Sequence, residues 1–251
     1  MTAIKRLAKF TQLLMKALIL SDIHSNIYAL EAIWTQEKDS EILYCTGDLV
    51  DYGPYPKEVL DWVRAHNVIC VQGNHDRWVV EKYRNCKPFD QIPTWKRLWA
   101  HHNADLLDEG DIIFLESLPE TITFQIDGIN YGMVHLYRDY DEIVSLFAYQ
   151  AFLQKTFTEP DNSNFSRLIL GHTHRQAVRY LSDEILWVNP GSVSYRRPDD
   201  PDQTAHYAII SAGVISLKRL PYDLAPLRKY VRGISLDESE IQAAERFFGD
   251  R

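Results

Sequence analysis

Five short polar motifs, each set directly after an apolar strand-like run, restrict what this chain can fold into. They are Asp22-Ile-His24, Gly47-Asp48-Leu-Val-Asp51-Tyr-Gly-Pro54, Gly73-Asn74-His75-Asp76, His135 closing Tyr-Gly-Met-Val-His, and Gly171-His172-Thr-His174. An open α/β sheet binds its ligands outside the carboxyl ends of its strands. Strands near 16–21, 41–46, 67–72, 129–135 and 167–170 would therefore deliver Asp, Asn and His side chains from distant parts of the chain into one cleft.

The segments between the first strands have helical spacing. Asn26 is placed to cap a helix over 27–38, with Ile27, Leu30, Ile33 and Trp34 on one face. A second helix over 57–66 follows Pro54 and Pro56 and turns Val59, Leu60 and Val63 inward. This β-α-β-α-β rhythm predicts parallel strands with helices outside. It breaks over 77–118, where Trp78, Tyr83, Trp95, Trp99, His101 and His102 occur with little strand character. A helical, cap-like insertion beside the cleft is expected there, with its tryptophans as packing residues and neither histidine as a ligand.

Strands resume at 121–126 and 129–135 around the hairpin signal Asp127-Gly128. A helix over 141–155, a polar loop over 159–164 and hairpin-like strands near 176–181, 184–188, 205–211 and 213–219 follow. Residues 237–248 read as an amphipathic helix, with Ile241, Ala244, Phe247 and Phe248 apolar.

Composition narrows the class. The length of 251 residues suits one domain over 15–251, with 1–14 as an extension. A hydrophobic content of 45% excludes a disordered chain. A net charge of −8 excludes general nucleic-acid binding across the surface. Cys45, Cys70 and Cys86 are odd in number and spaced like no zinc motif; Cys45 and Cys70 sit in apolar strand-like runs and read as core thiols, which fits a reducing compartment. No run is long and apolar enough to span a membrane. The basic-then-apolar N-terminus imitates a signal peptide, but cleavage would remove the strand leading to Asp22 and His24. A cytoplasmic location is expected; the oligomeric state is left open.

Asp22 and His24 lie two apart on an extended chain end, so their side chains can point the same way. A mixed oxygen and nitrogen donor set suits Mn, Fe, Zn or Ni better than Ca or Mg. The carboxylate of Asp48 has two oxygens and can bridge two ions, and Asn74 offers a neutral carbonyl oxygen. His75, titrating near neutrality, can donate a proton to a leaving oxygen. Asp51 could accept from its other ring nitrogen and favour the protonated ring. Taken singly, each motif also suits a polar turn or a strand end. A His-x-His pair such as His172 and His174 after a glycine is a frequent metal-binding arrangement.

In combination and order the motifs resemble the calcineurin-like metallophosphoesterase superfamily, whose pattern is D-x-H, GDxxD, GNH[DE], H, GHxH. With GDLVDYGP, GNHD, GHTH and Asn189-Pro-Gly-Ser192, the resemblance is to its small bacterial and archaeal phosphoesterase-like branch, over roughly residues 16–220. It implies an α/β fold: a two-layer or four-layer β-sandwich flanked by helices. It also implies two divalent metal ions, Mn or Fe, with Ni or Zn as alternatives. One ion would be held by Asp22, His24, Asp48 and His174, the other by Asp48, Asn74, His135 and His172. The implied activity is that of a phosphodiesterase or phosphatase on a small phosphate ester or nucleotide. A metal-bridging hydroxide would attack in line, and His75, backed by Asp51, would protonate the leaving alkoxide.

The sequence departs from the family pattern in two places. Leu136 follows His135 where many relatives have glycine. Tyr52 stands where the phosphoprotein phosphatases and dinucleoside-polyphosphate hydrolases carry a phosphate-gripping arginine. Substrate contacts then fall to Tyr52 and Arg77, with Arg138, Arg175, Arg196 and Arg197 as further cations near the motifs. A non-catalytic metal-binding interaction scaffold and a nuclease are the competing readings. The complete ligand set with His75 favours the enzyme, and the acidic charge disfavours the nuclease.

Overall fold

The computed structural model describes residues 14–138, 140–158, 165–194 and 203–248. In chain order the first half comprises β1 (Lys16–Leu20), α1 (Ile27–Gln36), β2 (Ile42–Cys45), α2 (Pro56–Ala65), β3 (Ile69–Cys70), α3 (Asn74–Asn85), α4 (Trp99–Leu106) and α5 (Glu109–Ser117). The second half comprises β4 (Thr121–Ile126), β5 (Ile129–Val134), α6 (Leu146–Thr156), β6 (Arg167–Ile169), β7 (Gln176–Tyr180), β8 (Leu186–Pro190), β9 (Ala205–Ser211), β10 (Val214–Leu220), α7 (Ala225–Gly233) and α8 (Glu238–Phe248).

These strands form two five-stranded sheets, ordered β10-β9-β1-β2-β3 and β4-β5-β6-β8-β7. In the first, β1, β2 and β3 run parallel, with Leu18 opposite Leu43 and Leu20 opposite Cys45. In the second, β5, β6 and β8 are parallel. The near-continuous apolar run of β1 follows from its central place, because a parallel strand covered on both faces needs apolar residues at every position.

Alternation along β1 separates two cores. Ala17 and Ile19 pack with Tyr44 and Val71 against Tyr131, Met133, Ile169 and Val188 of the second sheet. Leu18 and Leu20 face the other way, onto Leu30, Ile33, Val59, Leu60 and Val63 of α1 and α2. The outer face of the second sheet carries Leu168 and Trp187 against Tyr149 and Leu153 of α6. The architecture is therefore four-layered, helix–sheet–sheet–helix, which decides between the two layerings that the sequence left open.

Several boundaries differ from the sequence reading for local reasons. The third strand shortens to Ile69–Cys70, because Gln72 N donates to Pro119 O instead of a neighbouring strand. α6 starts at Leu146 rather than 141, where Ser145 Oγ accepts from Ala148 N at 3.2 Å. α3 begins inside the third motif, at Asn74. Val79, Ala100, Ala104, Ile112 and Leu115 of α3–α5 share the core of α1 and α2, so this segment extends the outer helical layer. Helix α7 was not expected; its Leu227 and Val231 pack with Trp99, Phe247 and Phe248. The loop over 159–164 and residues 1–13 lie outside the described residues. Among those described, no helix is long and apolar enough to cross a membrane.

Candidate metal centre

The loops that leave β1, β2, β3, β5 and β6 meet at one edge of the sandwich. Their backbone is unusual: Asp22, His24, Ser25, Asp48, Asp51, Tyr52, His172 and His174 all have positive φ. A non-glycine residue in the left-handed region costs roughly 1–2 kcal/mol. Such residues persist only where surrounding structure over-determines them, and they concentrate at functional sites. Gly73 makes the closest approach, since a Cβ there would overlap the Asp48 carboxylate and backbone. No larger residue fits where the second and third motifs touch.

Two groups of side chains result. Ligand atoms of Asp22, His24, Asp48 and His174 all lie within 4.8 Å of one another, as do those of Asp48, His135 and His172. Asn74 Oδ1 joins the second group, 3.0 Å from both His135 Nε2 and His172 Nδ1. In the first, His24 Nε2 and His174 Nε2 face each other at 3.3 Å, and His174 Nε2 lies 3.1 Å from Asp22 Oδ1. Asp48 belongs to both groups.

The donor chemistry fits cations. Nδ1 of His135 donates to Thr46 O at 2.7 Å, which leaves Nε2 of a neutral ring as a lone pair. That nitrogen points at Asp48 Oδ2, 3.1 Å away, and at Asn74 Oδ1. Asp48 Oδ2 is itself buried, and a neutral His135 ring in this tautomer offers it no proton. Converging lone pairs with no proton between them repel, and a bound cation would remove that repulsion. In the metal-free protein a proton takes its place: burial pulls the His135 ring down, but the charge of Asp48 outweighs it and raises the pKa to about 9. Asp48 is held well below the usual range despite burial, by the charges of His135 and His75. Burial and the His75 charge push His24 down to about 3, which keeps its ring neutral, as a ligand must be.

His75 sits in the first turn of α3, its Nδ1 2.7 Å from Asp51 Oδ2. Its Nε2 faces the cluster, 4.0 Å from Asp48 Oδ2. Burial lowers its pKa, but the Asp48 charge and the Asp51 hydrogen bond more than offset this and raise it to about 8. The ring of Tyr52 lies 4.5 Å from the His75 ring and that of Trp78 4.4 Å. Trp78 is 45% exposed and Trp95 66% exposed, which corrects the reading of both as packing residues; Trp99 is buried. Arg77 is exposed and lies 3.6 Å from Glu120 rather than against the cluster. Arg138 and Arg175 are exposed, and Arg196 and Arg197 lie outside the described residues.

The sequence reading missed the residues that brace these loops. Asp76 accepts from the backbone amides of Asp48, Leu49, Val50 and Gly73, tying the second motif to the third. Thr46 Oγ1 donates to Ser21 Oγ, which donates to Asp22 Oδ2. Asn189 Nδ2 donates to Gly171 O and Ser192 Oγ to Asp22 O, so the Asn-Pro-Gly-Ser block braces the first and last motifs.

Asn103 of α4 does the same for Asp51. Its Oδ1 accepts from Asp51 N at 2.9 Å and from Ser25 Oγ at 2.5 Å, and its Nδ2 donates to Gly53 O at 2.9 Å. Asn103→Leu would strand three buried polar groups at about 1–3 kcal/mol each. We expect a loss of at least about 3 kcal/mol in denaturant unfolding, and a loss near zero would show that the loop holds itself.

Comparison with known proteins places these features in context. Residues 15–212 match the model of the calcineurin-like phosphoesterase superfamily domain. An uncharacterized protein of Methanocaldococcus jannaschii is 29% identical over 221 residues, 82% of this chain and 87% of that one. A metallophosphoesterase from Sphaerobacter thermophilus, known as a crystal structure, superposes with a TM-score of 0.71 at 26% identity, covering 93% of this chain and 99% of its own. The symmetrical bis(5'-nucleosyl)-tetraphosphatase of Buchnera aphidicola is 31% identical over 99 residues, 37% of this chain and 35% of that enzyme.

Proposed function

The chain belongs to the calcineurin-like phosphoesterase superfamily, and on that premise we propose that it is a binuclear metal-dependent phosphoesterase acting on a small phosphate ester or nucleotide. One observation carries this reading: two ligand groups share the buried Asp48, and a hydrogen-bonded His75–Asp51 pair faces the same oxygen. Asp22, His24, Asp48 and His174 would hold one ion, and Asp48, Asn74, His135 and His172 the other. Mn or Fe suits this donor set, with Ni or Zn as alternatives. Bound there, the ions would supply charge neutralisation for the phosphoryl oxygens and a nucleophilic water at neutral pH.

The chain's own residues supply the rest. Asp51 fixes the His75 ring so that the proton available to a leaving oxygen sits on Nε2, the nitrogen facing the cluster. The Asp51 hydrogen bond favours the protonated ring, and it persists when cations offset the Asp48 charge. Tyr52 and Trp78 flank the ring and wall the side on which an organic leaving group would depart. No arginine occupies the Tyr52 position, which disfavours phosphoprotein substrates. The partial match to a dinucleoside tetraphosphatase keeps nucleotides among the candidates.

The reading is tested by hydrolysis of bis-p-nitrophenyl phosphate and p-nitrophenyl phosphate with Mn added to chelator-treated protein. Turnover restored by Mn is the expected result. A protein that binds metal fully but turns over neither ester would instead be the interaction scaffold.

A further inference from the structure

We infer that the ester taken by this site carries a second anionic group, a phosphate or a carboxylate, received by a cationic pocket beside His135. The inference rests on reading the cluster as the site of phosphoryl chemistry. A cavity of about 330 Å³ is lined by Arg77, Arg138 and Lys155, with Gln72, Glu120 and His135 among its other walls. That volume is at the small end for a ligand pocket and ample for one anionic group. The same His135 directs Nε2 at Asp48 and Asn74, so the cavity adjoins the second ligand group.

Three elements bring the cations there. Arg77 stands three residues beyond Asn74 in α3, on the same face of the helix. Arg138 follows β5 and rests over the Tyr137 ring, 5.1 Å from its centroid. Lys155 lies in the last turn of α6.

The charges do not cancel. Glu120 is the one carboxylate among the described lining residues, and it is 3.6 Å from Arg77 across an exposed pair. Exposed pairs of this kind contribute little, so an incoming anion can displace Glu120. Arg138 and Lys155 form no ion pair among the described residues. Among the described lining residues, cations therefore outnumber carboxylates by two in a concave site on a chain whose net charge is −8. Clefts lined by one sign of charge concentrate the opposite ion, and a guanidinium fork suits phosphate or carboxylate.

The test uses the metal-loaded full chain and three non-hydrolysable ligands in isothermal calorimetry. Methylphosphonate has only the metal-seeking head, 3-phosphonopropionate adds a carboxylate, and ethylene-1,2-bisphosphonate adds a second phosphonate. A distal anion is expected to tighten binding at least about tenfold, or about 1.4 kcal/mol. The double variant Arg138→Glu with Lys155→Glu should reduce that preference to about twofold or less, and the neutral pair Arg138→Gln with Lys155→Gln should give an intermediate value. The stronger of the two distal groups identifies which anion the pocket takes. Equal affinity for all three ligands in the wild type, or a preference that survives both double variants, overturns the subsite. Ester turnover without the preference refutes the subsite alone. The preference without any ester turnover refutes the catalytic reading and leaves the subsite standing.

Discussion

His75→Asn is expected to lower kcat on an alkyl phosphodiester by about 10²–10⁴-fold, the range over which a positioned general acid acts. An alkoxide leaves poorly without a proton, and Nε2 of His75 faces the cluster while Asp51 holds the opposite nitrogen at 2.7 Å. A p-nitrophenolate leaving group needs little protonation, so the same variant should lose less than about tenfold on bis-p-nitrophenyl phosphate. The pH profile supplies an independent readout. In the metal-free protein the His75 pKa is raised to about 8. Bound cations would oppose the Asp48 charge behind that rise, so in the loaded enzyme the proton-donating form is lost as pH rises through a range below that value. Wild-type kcat on the alkyl ester should therefore fall as pH rises through this region, and the variant should lack that descending limb. Asp51→Asn should shift the limb to lower pH, because one of the interactions raising the pKa is gone. Metal content should match the wild type, since His75 belongs to neither ligand group. Equal losses on both esters would assign His75 to holding the substrate instead.

The motif residues were legible because their positions are fixed by strand ends. Five apolar runs locate five loops, and parallel pairing of β1, β2 and β3 and of β5 and β6 then makes those loops converge. The residues that hold the loops were not legible. Asn103 lies in a helix with no sequence link to Asp51, and it reaches the loop only because α4 packs on α3 and α2. Asp76 reads as a fourth letter of a motif, yet its carboxylate binds four backbone amides, and amide partners leave no mark in side-chain sequence. Helix α7 escaped notice because its apolar face, Leu227 and Val231, is narrow and follows a proline at the helix start. Trp78 was misjudged for a related reason. Tryptophans are mostly buried, and only the fold shows that α3 turns this one toward His75.

Asp48→Asn should separate metal binding from folding. Asp48 is shared by both ligand groups, and asparagine offers one neutral oxygen in place of two charged ones. The expected result is loss of both ions, a fall in kcat of at least about 10³-fold, and a metal-induced rise in Tm reduced to near zero. For the wild type, free metal at about a thousandfold over Kd should add roughly 4 kcal/mol to stability. The metal-free variant should nonetheless stay folded, with a Tm equal to or above that of the metal-free wild type. Asparagine keeps an oxygen for the His75 amide, which donates to Asp48 Oδ1 at 2.9 Å. Its amide group can donate to His135 Nε2, where the carboxylate oxygen had stood 3.1 Å away. The substitution thus replaces a buried charge that needs a proton on His135 with a neutral hydrogen bond that does not. The pH dependence follows with a definite sign. In the metal-free wild type the His135 pKa is raised from 6.5 to about 9, so its stabilising effect is complete below 6.5 and is lost as pH rises through about 9. The variant, without the Asp48 charge that raises it, should lose that slope. Thermal unfolding across this pH range, with chelator and with Mn, reads all of these effects. A variant that keeps the metal-induced rise would show that Asp48 does not bridge, and one that cannot fold without metal would show that its charge is structural.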